Sequence, residues 1–276
     1  MQEMIKNTIN QCLVEYDNPI KRHNDYKHFI HKICFLADMD CDPELPGMKK
    51  IADLILSRQS DDGFFLSNVE IAKAFKGTGF PEPGWLMCDF PLILYFLIKT
   101  GYKGNPSVKR AVDSLQRIAD DNGWRCKGYH DKFRGPGKKA DHCPLATLYA
   151  LKVFSLLPEF HKELYVKAGI DSLLYQWSHS YDGHIYMFGM GKRFRKLKYP
   201  NHWFDVLHVV SVLSNFDYAR RKPEYKEMIE HIKSKRSPNG GFIPESIYLI
   251  YKGLDFGQKK AESQIMTKKI NQLILR

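Results

Sequence analysis

The chain has 276 residues, of which 43% are hydrophobic and 26% are charged, and its formal net charge is +11. This composition is typical of a folded globular protein and excludes a disordered chain. The basic balance favours anionic partners, although the sequence contains no recognisable nucleic-acid-binding motif. The apolar run at 92–98 is too short for a bilayer span, which needs roughly 20 apolar residues.

The two ends of the chain predict helices, and the N-terminal end predicts no secretion signal. Residues 1–37 carry apolar side chains at helical spacing, as in Ile5 and Ile9 and again in Phe29 and Ile33, and predict an opening pair of helices. The polar start MQEMIKNTINQ lacks the apolar core of a signal peptide. The six cysteines are scattered without a C-x-x-C pair, so we expect reduced thiols and a cytoplasmic protein with no membrane span. A closing helix is predicted within 258–275.

Four similar turn sequences recur between these ends. Their glycines are Gly63, Gly123, Gly183 and Gly240, and they lie 60, 60 and 57 residues apart. Each directly follows Asp or Asn, and such pairs suit tight turns because glycine adopts positive φ at low cost. Four turns at nearly equal spacing predict an internal repeat.

Each turn has an amphipathic helix before it and a more apolar helix after it. The apolar stripe ahead of Gly63, for example, consists of Met48, Ile51, Leu54 and Ile55. Prolines 43, 106 and 223 lie near three of the predicted helix starts, where a missing N–H costs little. After three of the turns, a loop of about twenty residues leads to segments that are apolar on nearly all sides, at 90–98, 144–157 and 203–213.

The repeat predicts an all-α fold of stacked helical hairpins. Amphipathic helices would form an outer layer around an inner layer of apolar helices, in a ring. The whole chain, 1–276, is predicted to be one domain, with repeats over 43–257. No alternation typical of a strand is apparent, so we expect no sheet.

The turn sequence Gln59-Ser-Asp-Asp-Gly63-Phe-Phe65 resembles the Q-x-x-x-G-x-W/F repeat of squalene–hopene cyclases. The arrangement over about 30–275 resembles the α/α toroid of class II terpene cyclases and protein prenyltransferase β-subunits. It also resembles uncharacterised prenyltransferase or squalene-oxidase-repeat proteins of bacteria and archaea. The resemblance implies a hydrophobic, isoprenoid diphosphate ligand in a central cavity. Prenyltransferase β-subunits work with a helical partner subunit, so a similar partner is implied here.

The resemblance also implies a zinc site and catalytic residues. The N-terminal ends of the inner helices would converge on the cavity, and three short stretches lie there: 88–89, 141–143 and 201–205. Prenyltransferase β-subunits bind zinc through an Asp-x-Cys pair and a later histidine. Carried over, the ligands and catalytic residues are Asp141, Cys143 and His202, and the metal would keep a substrate thiolate nucleophilic. Cys88 and Cys126 would equally suit such a site.

Two basic stretches precede these positions and predict an anion site at the mouth of the cavity, because clustered arginines and lysines bind diphosphate through charge-assisted hydrogen bonds. An aromatic and a carboxylate residue at the start of the third inner helix complete the predicted substrate-binding set. The set is Arg134, Lys138, Lys139, Arg193, Arg195, Lys198, Trp203 and Asp205.

Several other functions are disfavoured or stay open. The inner-helix starts carry no D-x-D-D acid motif, which disfavours class II cyclisation, and no P-loop, Rossmann or zincin motif occurs. One open alternative is a toroid that binds a ligand or acts as a scaffold without catalysis. The other is a carbohydrate-active toroid that uses Arg195, Tyr199, Asn201 and His202.

Overall fold

The computed structural model describes residues 1–130, 133, 142–180 and 188–276. This part of the chain is mostly α-helical. Its helices are α1 (Gln2–Glu15), α2 (Phe29–Asp38), α3 (Met48–Leu56), α4 (Phe90–Lys99), α5 (Pro106–Arg117), α6 (Pro144–Phe154), α7 (Leu164–Ser178), α8 (Val206–Leu213), α9 (Asp217–Arg220), α10 (Pro223–Lys233) and α11 (Gln264–Ile274). Each predicted helix has a counterpart among them. No helix in the described ranges has both the length and the apolar character needed to cross a membrane.

Burial separates the helices into the two predicted kinds. Every residue of α6 is buried, and α2, α4 and α8 are buried on nearly all sides. The helix α5 instead buries a single stripe, led by Val108, Ala111 and Leu115, and exposes its opposite face. The hydrophobic pattern therefore predicted correctly which of these helices are buried on nearly all sides and which are buried along one stripe.

The buried helices form a consecutive row. Helix α2 packs against α4, α4 against α6, and α6 against α8. The amphipathic helices α5, α7 and α10 pack against α4, α6 and α8 respectively, and α11 also packs against α8. The ammonium group of Lys269 in α11 donates a hydrogen bond of 3.1 Å to the backbone carbonyl of Asp38, at the end of α2. The last helix thus contacts both ends of the row.

The repeated turns have the predicted glycine conformation. Gly63, Gly123 and Gly240 have φ angles of +92°, +109° and +93°. At Gly123 there is also no space for a side chain, since a Cβ there would lie 2.7 Å from the Thr147 hydroxyl. The fourth turn, at Gly183, lies outside the described residues.

Equivalent serines fix two of these turns to the next amphipathic helix. The hydroxyl of Ser114 in α5 donates to the carbonyl of Asp62, and that of Ser172 in α7 donates to the carbonyl of Asn122, both at 2.5 Å. In each case the accepting residue directly precedes the turn glycine. The Gln59 amide also donates to the Gly63 and Ser107 carbonyls, at 2.8 and 2.7 Å. The same serine-to-carbonyl hydrogen bond therefore recurs at the turns of Gly63 and Gly123, in agreement with the repeat in the sequence.

Two expectations need correction. The structure contains a two-stranded antiparallel sheet, β1 (Ser67–Glu70) with β2 (Pro81–Gly84), although no sheet was expected. These strands are short and β2 holds two prolines, so the sequence carries little strand signal. Pro106 and Pro223 do begin α5 and α10, whereas Pro43 lies in a turn and Gly47 precedes α3.

Candidate functional site

The chain segments before α4, α6 and α8 meet at one cavity of about 540 Å³. Cys88 lies two residues before α4, Cys143 directly before α6, and Trp203 three residues before α8, and all three line the cavity. Cys126 is a further lining residue, so we call this space the thiol cavity. Leu86, Leu145 and Phe188 add apolar walls.

Backbone pairing brings the thiol-bearing segments together. The amide of Met87 donates to the carbonyl of Lys127, and the amide of Tyr129 donates to the carbonyl of Trp85, both at 2.9 Å. This pairing sets the segment that carries Cys88 beside the segment that carries Cys126. The amide of Cys143 donates to the carbonyl of Trp124 at 2.8 Å, which fixes the start of α6 to the turn before it.

The cavity thiols are reduced, and two of them are in contact. All six cysteines are free. A hydrogen bond with the Cys126 thiol and burial together raise the pKa of Cys143 well above its usual value. With this raised pKa, Cys143 is a neutral thiol at physiological pH unless a metal ion or another cation is bound nearby. The thiolate is the reactive form, so the neutral thiol is unreactive.

Cations and an aromatic side chain lie along the rim. Lys21, Arg22 and Phe75 are lining residues that are also exposed to solvent. Lys21 forms an ion pair with Glu70 at 2.9 Å. The described lining therefore combines apolar walls with an edge that carries the Lys21–Glu70 ion pair and the Arg22 guanidinium.

A group of polar residues, most of them buried, lies beside the thiol cavity, and we call it the polar cluster. It consists of Tyr26, His31, Tyr149, Lys198, His202, Asp205, His208, Tyr248 and Tyr251. The main chain connects the two sites: the His208 ring bonds the carbonyl of Trp203 at 2.8 Å, and Trp203 lines the cavity. The Tyr149 hydroxyl donates to the carbonyl of His202 at 2.6 Å.

Three histidines of the cluster are fully buried and neutral. Burial lowers the pKa of His31 to about 4, and it lowers the pKa values of His202 and His208 well below the usual range. His202 bonds the Tyr251 hydroxyl through Nε2 at 2.7 Å, but its Nδ1 has no hydrogen-bond partner among the described residues. The same holds for Nδ1 of His31 and Nε2 of His208. Buried polar atoms are normally paired, so these three mark a place for water or a polar ligand.

Two buried aspartates start equivalent helices but differ in how fully they are bonded. Asp89 precedes α4 and accepts hydrogen bonds from the amides of Leu86 and Phe90 and from the Ser67 hydroxyl. Asp205 precedes α8 and accepts from the His208 amide through Oδ1, whereas its Oδ2 has no partner in the described ranges. Both carboxylate oxygens of Asp89 therefore accept hydrogen bonds, whereas among the described residues Oδ2 of Asp205 accepts none and is left to bind a further group.

The same environments set the acidities of the two carboxyl groups. Burial raises the pKa of Asp205 to about 7, against the His208 amide and the Lys198 ammonium, which lower it. Burial also raises the pKa of Asp89 to about 6, against its three donors. A carboxyl group that titrates near neutral pH suits general acid–base chemistry.

The predicted zinc ligands are described only in part. Asp141 lies outside the described residues. Cys143 contacts Cys126 and lines the thiol cavity, whereas His202 lies in the polar cluster against His31 and Tyr251. Among the described residues, no three His, Cys, Asp or Glu side chains are placed to hold a metal. Zinc binding stays a prediction.

The predicted anion-binding residues have varied surroundings. Arg134, Lys138 and Lys139 lie outside the described residues. Arg193 is exposed. The guanidinium of Arg195 lies 4.0 Å from the ring centroid of Trp177, and the Lys198 ammonium lies 3.4 Å from that of Tyr248. These two cations therefore face aromatic rings.

The residues of the carbohydrate alternative are likewise separated. Tyr199 and Asn201 line a second cavity of about 580 Å³, near the end of α2, together with Asp38. His202 instead belongs to the polar cluster, and Arg195 contacts Trp177. The structure therefore places these four side chains in three different surroundings.

Sequence reasoning missed most of the polar cluster and all of the described cavity cations. It also missed the buried pair of Lys152 with Asp38, which was indicated by a lysine that interrupts the apolar helix α6, because a buried lysine needs a partner. A further missed signal was the polar stretch 21–28, which holds two histidines and two lysines close together. Comparison with known proteins adds no assignment: no protein-family model and no curated protein matches the sequence.

Proposed function

We propose that the chain is an α/α toroid of the prenyltransferase and terpene cyclase type. Three features support this arrangement: the row of buried helices, the amphipathic helices packed against that row, and the repeated glycine turns. The hydrogen bond from Lys269 to the carbonyl of Asp38 supports a ring, because it joins the last helix to the end of α2.

In this proposal the thiol cavity binds a hydrophobic ligand with an anionic head group, of the isoprenoid diphosphate class. The observation that carries it is that the starts of three buried helices meet at one apolar cavity with cations on its rim. A volume of about 540 Å³ is within the range of small-molecule sites. Helix N-termini and the Arg22 guanidinium would attract the head group, and the leucine and aromatic walls would hold the tail.

A substitution that fills the cavity tests this proposal. We expect Cys88→Trp to weaken the binding of farnesyl diphosphate by about tenfold or more, because the indole would occupy the space of the tail. Binding would be measured by calorimetric titration. The control is Cys41→Trp, since Cys41 is also partly exposed but is not a lining residue of the cavity.

The result is interpretable only if both variants unfold cooperatively, which thermal denaturation would establish. Equal affinity for farnesyl diphosphate in the Cys88→Trp variant and the unaltered chain would refute binding in the thiol cavity. Equal weakening by Cys41→Trp would show an indirect effect, and would refute it as well.

We further propose that zinc is held by Asp141, Cys143 and His202, as the resemblance implies. The donor chemistry is suitable, because zinc prefers thiolate, imidazole and carboxylate ligands. Among the described residues, the buried Nδ1 of His202 has no hydrogen-bond partner, and Cys143 would bind as a thiolate once a cation stabilised it. When bound, the metal would supply Lewis acidity beside the cavity thiols.

Metal analysis tests the zinc proposal independently of ligand binding. We expect about one zinc per chain by elemental mass spectrometry of protein purified without an affinity tag, and loss of most of it in Cys143→Ala. Cys12→Ala is the control, because Cys12 is buried between the first helices, away from the cavity. An unchanged metal content in Cys143→Ala would refute the site.

A further inference from the structure

The loop between the two strands exposes aromatic side chains to solvent. It spans residues 71–80, and within it Phe75 is 47% exposed and Phe80 is 68% exposed. Ala72 and Ala74 are exposed beside them. Large aromatic side chains are usually buried, so two of them on one short loop form an exposed aromatic patch.

Hydrogen bonds give this loop a defined shape. The amides of Phe75 and Gly77 donate to the carbonyl of Ala72, and the amide of Gly79 donates to that of Ile71 at 3.0 Å. The Thr78 hydroxyl donates to the Glu82 carboxylate at 2.7 Å, which fastens the loop to β2. Its aromatic side chains are therefore presented from an ordered backbone.

The charge of the loop is entirely basic. Lys73 and Lys76 are exposed, and the stretch 71–80 contains no acidic residue. Arg22 is exposed on the rim of the same cavity that Phe75 lines. Lysines beside exposed aromatic side chains are the combination that binds anionic lipid surfaces, with the rings at the head-group level and the cations on the phosphates.

We propose that the loop 71–80 docks on the surface of an anionic lipid bilayer. Phe75 and Phe80 would enter the boundary between head groups and acyl chains, and Lys73 and Lys76 would contact the anionic head groups. Because Ile71, Ala72 and Phe75 also line the thiol cavity, docking would turn that cavity towards the bilayer. Docking itself does not depend on what the cavity binds.

The apolar area favours a bilayer over a protein partner. A stable protein–protein interface buries roughly 1,200 Å² or more, whereas this patch consists of two phenylalanines and two alanines. Shallow insertion of a few side chains, aided by lysines, is sufficient for reversible membrane binding. The formal net charge of +11 acts in the same direction.

Vesicle co-sedimentation tests the proposal with the full chain. We expect binding to vesicles of phosphatidylcholine with phosphatidylserine, and much weaker binding to phosphatidylcholine alone. Phe75→Ala/Phe80→Ala is expected to weaken binding on the order of tenfold to 100-fold, because two aromatic insertions are lost. Leu164→Ala/Leu249→Ala is the matched control, since these leucines are 81% and 78% exposed outside the loop.

A second variant tests the charge. Lys73→Glu/Lys76→Glu should abolish the preference for phosphatidylserine, and added salt should weaken the binding of the unaltered chain. The proposal is overturned if the unaltered chain does not sediment with the anionic vesicles, or if the phenylalanine and leucine variants bind equally. It is also overturned if sedimentation velocity shows that Phe75→Ala/Phe80→Ala dissociates a dimer, because the loop would then contact a second copy.

These results separate docking from ligand binding. Vesicle binding without affinity for farnesyl diphosphate would uphold docking and contradict the proposed function. Farnesyl diphosphate binding without vesicle binding would do the reverse.

Discussion

Lowering the pH from about 7 to about 5 is expected to reduce the free energy of unfolding by on the order of 2 kcal/mol. The physical reason is the set of buried neutral histidines. His31, His202 and His208 have folded-state pKa values far below the value of about 6.5 in an unfolded chain. Below about pH 6.5 the unfolded chain therefore binds more protons than the folded chain. The contribution of the three neutral histidines to the free energy of unfolding is complete above that pH and is lost as the pH falls.

The buried aspartates oppose this effect without reversing it. Asp205 and Asp89 have raised pKa values, so their burial becomes less costly as the pH falls through about 7 and 6. Over this interval Asp205 gains slightly more than one histidine loses, whereas Asp89 gains less, so the three histidines together outweigh the two aspartates. Acidification is therefore net destabilising.

Chemical denaturation at several pH values would measure this dependence. His31→Gln should reduce the loss of stability between about pH 7 and about pH 5, because one titrating group is removed. Asp205→Asn should increase the loss, because it removes an opposing group while asparagine still caps the helix. A stability that is unchanged or higher at the lower pH would contradict the neutral state of the buried histidines.

Asp38→Asn is expected to lower the free energy of unfolding by about 3–5 kcal/mol, because it leaves a buried ammonium group without its counter-ion. The Lys152 ammonium lies 2.7 Å from Asp38 Oδ2, and the two side chains are only 4% and 9% exposed. The Tyr95 hydroxyl donates to the other carboxylate oxygen at 2.8 Å, and the ring of Tyr95 lies 4.6 Å from the ammonium.

A double-mutant cycle would isolate the pair. Lys152→Met should also destabilise the protein, and the double variant Asp38→Asn/Lys152→Met should lose much less stability than the two single changes together. Asp53→Asn is the matched control, because Asp53 pairs with Lys49 on the exposed face of α3 and should change stability little. Additive single effects would show that Asp38 and Lys152 do not form a buried pair.

Local pattern predicted the helices well because their signals are local. The apolar stripe of α5 and the all-round apolar character of α6 are both visible within a dozen residues. The glycine turns were predictable for the same reason, since positive φ at Gly63 or Gly123 depends on the chain next to it. The strand pair depends instead on contacts between β1 and β2 and on hydrogen bonds of residue 20 with both 68 and 70, which the sequence does not reveal.

The site was predictable only where helix starts define it. Cys143 and Trp203 precede buried helices, and the structure brings both to one cavity. The polar cluster joins residues from opposite ends of the chain, such as His31 and Tyr251, through His202. Such pairings follow from the tertiary packing, and no local spacing indicates them.

Calorimetric titration of the unaltered chain with farnesyl diphosphate is the most direct test of ligand binding in the thiol cavity. We expect one binding event per chain with a negative heat-capacity change, because apolar surface of the ligand is buried against the cavity walls. Affinity should weaken in Cys88→Trp and stay unchanged in Cys41→Trp. No heat beyond that of dilution in the unaltered chain would contradict the proposed function.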